Sequence, residues 1–74
     1  IEYALPEPQE VRLAVYDALG RRVRVLVDQR QSAGTHQVRW DGTTASGRQA
    51  ASGLYLIRLD AGATEQTRKM VLIR

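Results

Sequence analysis

The residues able to do chemistry in this chain are few and badly spaced for it. His36 is the only histidine, and there is no cysteine. A zinc centre draws on several His, Cys or carboxylate ligands brought together, and a Cys nucleophile or disulfide needs a thiol, so these chemistries have almost nothing to work with. His36 alternates with Val38 and Trp40, which places it on a strand face as a core-edge residue rather than a base. Asp41-Gly42-Thr43-Thr44-Ala45-Ser46-Gly47 carries oxygens that a calcium ion would accept, but it lacks the D-x-D-x-D-G spacing of a dedicated calcium loop. The simpler expectation is an Asx turn, in which the carboxylate caps its own backbone. Asp17 and Asp60 are read the same way. Ser32, Ser46 and Ser52 lie beside glycines, yet none stands in a G-x-S-x-G elbow, and no glycine-rich phosphate cradle occurs. Stacking of Trp40 on a sugar ring is the functional alternative, but its inward phase predicts a core residue. The chain is therefore expected to be no enzyme and to hold no cofactor or metal.

The bulk charge points the same way. Ten Arg and one Lys stand against eight acidic residues, a net charge of +3. The basic residues are spread along the chain, with one group at Arg21, Arg22 and Arg24, and read as solvated strand faces. Trp40, Tyr3, Tyr16 and Tyr55 are the only aromatic residues, too few for a stacking platform, so nucleic acid is not an expected partner. No membrane-length apolar run is present. Ile1 already sits inside an alternating pattern, which leads to the expectation that the chain is the C-terminal part of a longer secreted protein, folded as one domain over residues 1–74 and monomeric.

The elements that carry these residues alternate with a period of two. Ile1, Tyr3 and Leu5 share one face, and Pro6-Glu7-Pro8 then stops any ladder, because neither proline has an N–H to donate. Val11, Leu13 and Val15 alternate with Arg12, Ala14 and Tyr16. Val23, Val25 and Val27 alternate with Arg24, Leu26 and Asp28. A helix competes over this stretch, since Val11, Ala14, Val15, Ala18, Leu19, Val23 and Leu26 also fit helical spacing. The wealth of β-branched valine and the hairpin-like Asp17-Ala18-Leu19-Gly20 decide against it. Ser32-Ala33-Gly34 marks a turn before the His36–Trp40 strand. Gly47 to Ala51 is expected to hold a short edge strand, and Ser52-Gly53 breaks it. Tyr55, Ile57 and Leu59 follow, then a turn at Asp60-Ala61-Gly62. The final strand, Thr64 to Ile73, becomes continuously apolar at Met70-Val71-Leu72-Ile73, flanked by Arg68, Lys69 and Arg74. It reads as a strand buried on both faces at rest, with strand addition to a partner as the other reading. The sum is an all-β, Ig-like antiparallel sandwich of about seven strands, with turn signals every ~10 residues.

These pieces in this order resemble the C-terminal sorting domain of the type IX secretion system of Bacteroidetes and their relatives. The resemblance is carried by Val11 to Val23 with its D-x-L-G turn, Gly34 to Gly42 with Trp40-Asp41-Gly42, Gly47-Arg48, Ala51-Ser52-Gly53-Leu54-Tyr55 with Leu59, and the closing Arg68 to Arg74. The D-x-L-G, W-D-G and S-G-x-Y pieces are shared with Ig-like domains of flagellar hook-capping proteins and of secreted glycoside hydrolases, so they mark the fold more than the task. The usual Asn-Pro-Phe-like stretch is absent, and Arg68-Lys69 stands where Lys-Lys is common. The resemblance implies a domain without activity that directs a cargo through the periplasm to the outer-membrane secretion translocon and its shuttle proteins. Cleavage and attachment to anionic lipopolysaccharide at the cell surface often follow. The recognition residues it implies are Gly53, Tyr55, Arg68, Lys69, Met70, Val71, Leu72, Ile73 and Arg74. The alternative is a non-catalytic surface-attachment or carbohydrate-binding module of a secreted glycoside hydrolase, acting through Trp40, the Asp41–Gly47 loop or the arginines.

Overall fold

The computed structural model describes all residues, Ile1 to Arg74. It contains six strands and no helix: β1 Glu2–Leu5, β2 Gln9–Asp17, β3 Arg22–Gln31, β4 Gly34–Gln37, β5 Gly53–Ala61 and β6 Thr64–Leu72. A four-stranded antiparallel sheet in the order β3-β2-β5-β6 packs against a two-stranded sheet of β1 and β4. This is an Ig-like β-sandwich with six strands instead of the expected seven. The missing strand is the one expected over Gly47 to Ala51, where a single bridge between Thr43 and Gln49 is all that forms.

Alternation sets the core in the two central strands. Val11, Leu13 and Val15 of β2 lie beside Ala61, Leu59 and Ile57 of β5, and all six are buried. Tyr3 and Leu5 cover them from β1, and Val27 closes the β3 side. Tyr3 stacks on His36 with ring centroids 5.6 Å apart, and the His36 Nε2 lies 2.8 Å from the Ser32 carbonyl oxygen. His36 is thus a packing residue at the rim of the small sheet.

β3 departs from simple alternation. Its register against β2 slips twice, leaving Val23 and Leu26 without a partner of their own. Each slip is a bulge, which lets an extra residue turn inward. Val23 and Leu26 therefore pack against the core beside Val27, whereas Val25 pairs with Ala14 on the other face. The expected Val23-Val25-Val27 face is corrected accordingly. The bulges also explain the helix-like spacing of Val23, Leu26 and Val27 within a strand.

The β2–β3 turn forms as expected. The Gly20 N–H donates to the Asp17 carbonyl at 3.0 Å, and Asp17 Oδ1 accepts from the N–H groups of Leu19 and Arg21, both at 2.9 Å. The Arg21 backbone N–H foremost, then its guanidinium and the Leu19 N–H, hold the Asp17 carboxyl below the usual carboxylate range. Asp60 is different. It lies inside β5, facing Glu65, and takes the Arg58 Nε at 3.1 Å instead of capping a turn. The turn comes later, at Gly62 and Ala63. Gly62 has φ 59, the left-handed value that the first central position of a two-residue type II′ hairpin demands.

Candidate functional site

The sequence directs attention to β6 and its neighbours, and the structure divides those residues into three sets. β6 is the edge strand of the large sheet, hydrogen-bonded to β5 alone. This corrects the expectation of a strand buried on both faces. The two-stranded sheet is too narrow to cover the whole of β6, and every residue from Thr64 to Lys69 is exposed.

The first set faces inward. Register places Arg68 opposite Ile57, Met70 opposite Tyr55 and Leu72 opposite Gly53. Met70 and Leu72 are half-buried against the core. Arg68 and Met70 line a cleft of about 250 Å³ between β1 and β6, floored by Leu13, Ile57 and Leu59. The second set faces outward. Lys69 stands opposite Leu56 and Val71 opposite Leu54. Val71 is 64% exposed, Leu54 41%, and Ile73, just beyond the strand, 85%. Lys69, Val71 and Ile73 therefore form an exposed basic-apolar stripe.

The third set is occupied within the chain. The Arg74 guanidinium donates from Nε to the Ala50 carbonyl at 2.6 Å and from Nη2 to the Gly42 carbonyl. The Arg74 N–H also donates to Ser52 Oγ at 3.1 Å. Gly42 is shaped for this contact. Its φ is +78, and a Cβ there would lie 2.8 Å from the Arg74 Nη2. Tyr55 is buried, and its hydroxyl donates to the Ala51 carbonyl at 2.6 Å. Gly53, at φ 153, starts β5 beside it. Tyr55 thus locks its strand into the core, whereas Arg74 clamps a loop instead of standing free.

That loop is the other candidate, and its polar groups are turned on one another. Asp41 Oδ1 accepts from the Thr43 N–H at 3.0 Å and the Thr43 hydroxyl at 2.6 Å, the expected Asx turn. The Thr43 hydroxyl, then its N–H, with a weaker contribution from the Arg24 charge, keep the Asp41 carboxyl below its ordinary range. Trp40 is only 8% exposed. Its Nε1–H donates to the Thr43 carbonyl at 2.9 Å, and its ring meets Tyr55 edge-on at 5.1 Å. No group of three or more His, Cys, Asp or Glu side chains gathers anywhere in the chain. The basic group of the β2–β3 hairpin is likewise divided, because Arg21 pairs with Asp17 while Arg24 reaches Thr43 and Thr44.

The loop also has a task that sequence reasoning missed. Its Ala45 N–H donates to the Val23 carbonyl at 3.0 Å, and Arg24 Nη1 reaches the Thr44 carbonyl at 3.1 Å. It therefore sits against the Val23–Arg24 end of β3, the other edge of the large sheet. No local pattern signals this, since the contact joins a bulged residue to a loop about twenty positions away.

The arrangement of bulged β3, Asx-turned loop and two-residue β5–β6 hairpin runs through the whole chain, and the family model of the FlgD Ig-like domain matches residues 1–65. The chain belongs to the FlgD Ig-like domain family. No curated protein and no solved structure matches this FlgD Ig-like domain. The family match takes in Trp40-Asp41-Gly42 and Gly53-Leu54-Tyr55 and ends at Glu65, the second residue of β6. Hence the family accounts for the scaffold of this FlgD Ig-like domain, while Gln66 to Arg74 stand outside the matched region.

Proposed function

We propose that this domain is a sorting signal, directing an exported cargo through the type IX outer-membrane translocon to the cell surface. The observation that supports the reading is the exposed Lys69-Val71-Ile73 stripe on an unpaired sheet edge. A partner strand added to such an edge gains main-chain hydrogen bonds, and alternate side chains supply selectivity. Lys69 gives charge, and Val71 and Ile73 give apolar contacts. Met70 and Leu72 act indirectly by holding the strand against the core, Arg68 lines the cleft beside them, and Gly53, Tyr55 and Arg74 fix its frame. Shuttle proteins and anionic lipopolysaccharide are the further partners of this reading.

The test fuses residues 1–74 to the C-terminus of a periplasm-directed reporter in a host carrying the secretion system. Deleting Arg68 to Arg74 would uncover β5 and unfold the domain, so a surface variant is preferable. Lys69→Glu, Val71→Glu and Ile73→Glu together leave the inward residues in place. Surface reporter should fall to the level seen without the domain. Unchanged export by the folded triple variant would overturn the reading.

The family match favours a second reading, an Ig-like assembly domain of a larger extracellular structure. It predicts export indifferent to the triple variant. The carbohydrate-binding module would have to act through the Asp41–Gly47 loop or the arginines, because the Trp40 ring is buried against Tyr55.

A further inference from the structure

The two edges of the large sheet are treated differently. β3 carries two bulges, and the Asp41–Gly47 loop covers its edge at Val23 and Arg24. Bulges and loop cover are standard means of blunting an edge against other chains. β6 has neither. It runs nine residues with continuous register, Ala61↔Thr64 through Gly53↔Leu72, and contains no proline. A two-residue turn makes Ala61 and Thr64 a hydrogen-bonded pair, so the N–H and C=O groups of Glu65, Thr67, Lys69 and Val71 point away from β5.

We infer that this edge pairs antiparallel with β6 of a second copy, about a twofold axis through Thr67. Charge complementarity chooses both occupant and register. A twofold axis normal to the sheet sets residues of the same face opposite each other, so the axis must pass through a residue. Through Arg68 or Lys69 it would set like charges side by side, which is destabilising. Through Gln66 it leaves Glu65 and Lys69 facing Thr67 and Ala63, and through Met70 it sets Lys69 against Val71 and leaves Glu65 with no residue opposite. Through Thr67 it sets Glu65 against Lys69 twice on the outer face and Gln66 against Arg68 twice on the cleft face. Thr67 meets its own copy, a favourable cross-strand pair. Glu65 already receives Arg58 Nη2 at 2.9 Å but its side chain is 57% exposed, leaving room for a second cation.

The inference goes beyond the sorting reading. It competes with the sorting reading for the same edge, so a translocon strand could add to β6 only after the dimer parts. It differs from the monomer expected from sequence, and it is tested on the purified chain without a translocon. Sedimentation equilibrium of residues 1–74 at low salt should show a concentration-dependent rise from 8.3 kDa toward the dimer. Glu65→Lys and Lys69→Glu, each alone, should raise the dimer dissociation constant by about tenfold or more, because two opposite-charge pairs become like-charge pairs. Glu65→Lys with Lys69→Glu in one chain should restore it. Thr67→Pro is a second arm. It removes only an edge-facing N–H, so β6 stays on β5 and pairing is lost. Circular dichroism confirms folding of each variant. A wild type that stays monomeric at its solubility limit overturns the inference. So does a dimer insensitive to the single charge changes, or a charge-exchanged variant as weak as the singles.

Discussion

Arg74 offers the sharpest perturbation, because sequence resemblance makes it a recognition residue and the structure makes it a clamp. Its guanidinium spans the carbonyls of Gly42 and Ala50, which are themselves tied by the Ala50 N–H donating to the Gly42 carbonyl at 2.8 Å. Arg74→Met keeps the stem and deletes both charge-assisted bonds. Such bonds are worth about 1.5–3 kcal/mol each, and discounting for partial exposure leaves a loss of about 2 kcal/mol for the pair. A domain of this length holds roughly 4–11 kcal/mol in all, so the loss is a large share. The melting temperature should fall by about 8–16 °C. Arg74→Lys should fall between, because an ammonium meets one carbonyl well but cannot fork to two. Gly42→Ala should destabilise too, placing a Cβ against the guanidinium at a backbone angle that alanine resists. Since both substitutions break one contact, their combination should cost less than the sum. The assay is thermal unfolding followed by near-ultraviolet dichroism of Trp40, which lies at the entry to the clamped loop. A melting temperature unchanged in Arg74→Met, or strict additivity with Gly42→Ala, would refute the clamp.

Other outcomes follow from the same geometry. Trp40→Ala removes a buried ring and should cost about 3–5 kcal/mol, leaving the chain largely unfolded at 37 °C by far-ultraviolet dichroism, whereas Trp40→Phe should lose about 1–2 kcal/mol with the Thr43 bond. Asp17 and Asp41 both have lowered acidities in the fold. Their stabilisation is complete above the unfolded carboxyl value near pH 4 and disappears as pH falls through the lower folded values. Melts from pH 5 down to 2 should show this decline, and Asp17→Asn with Asp41→Asn should flatten part of it. The Lys69, Val71 and Ile73 triple variant should lose surface export while keeping its melting temperature within a few degrees, measured on the purified domain.

Much of the fold is legible because β2 and β5 obey alternation. Val11, Leu13 and Val15, and Tyr55, Ile57 and Leu59, are inward as their phase requires. β3 escapes because a bulge is a property of two strands, invisible in Val23-Arg24-Val25-Leu26-Val27 alone. The strand expected over Gly47 to Ala51 is replaced by side-chain and loop hydrogen bonds, which periodicity does not report. β6 is the instructive error. Met70-Val71-Leu72-Ile73 is apolar on both faces, yet only Met70 and Leu72 reach the core. The pattern tells which faces are apolar, not how far the opposite sheet extends, and here it is only two strands wide. The Arg74 clamp was unreadable for a related reason: a terminal basic residue looks solvated until a loop thirty positions earlier turns its carbonyls toward it.

The loop set against the end of β3 has one more effect, on how far association can go. A sheet with two open edges is a difunctional monomer and can add copies at both ends without limit, the route to fibres. The two bulges and the loop cap at Val23 and Arg24 hinder pairing on β3, which leaves β6 the readier end. Pairing through β6 uses up the readier end of each four-stranded sheet, so growth beyond the first step is disfavoured. The loop and the bulges beside it act as a chain stopper.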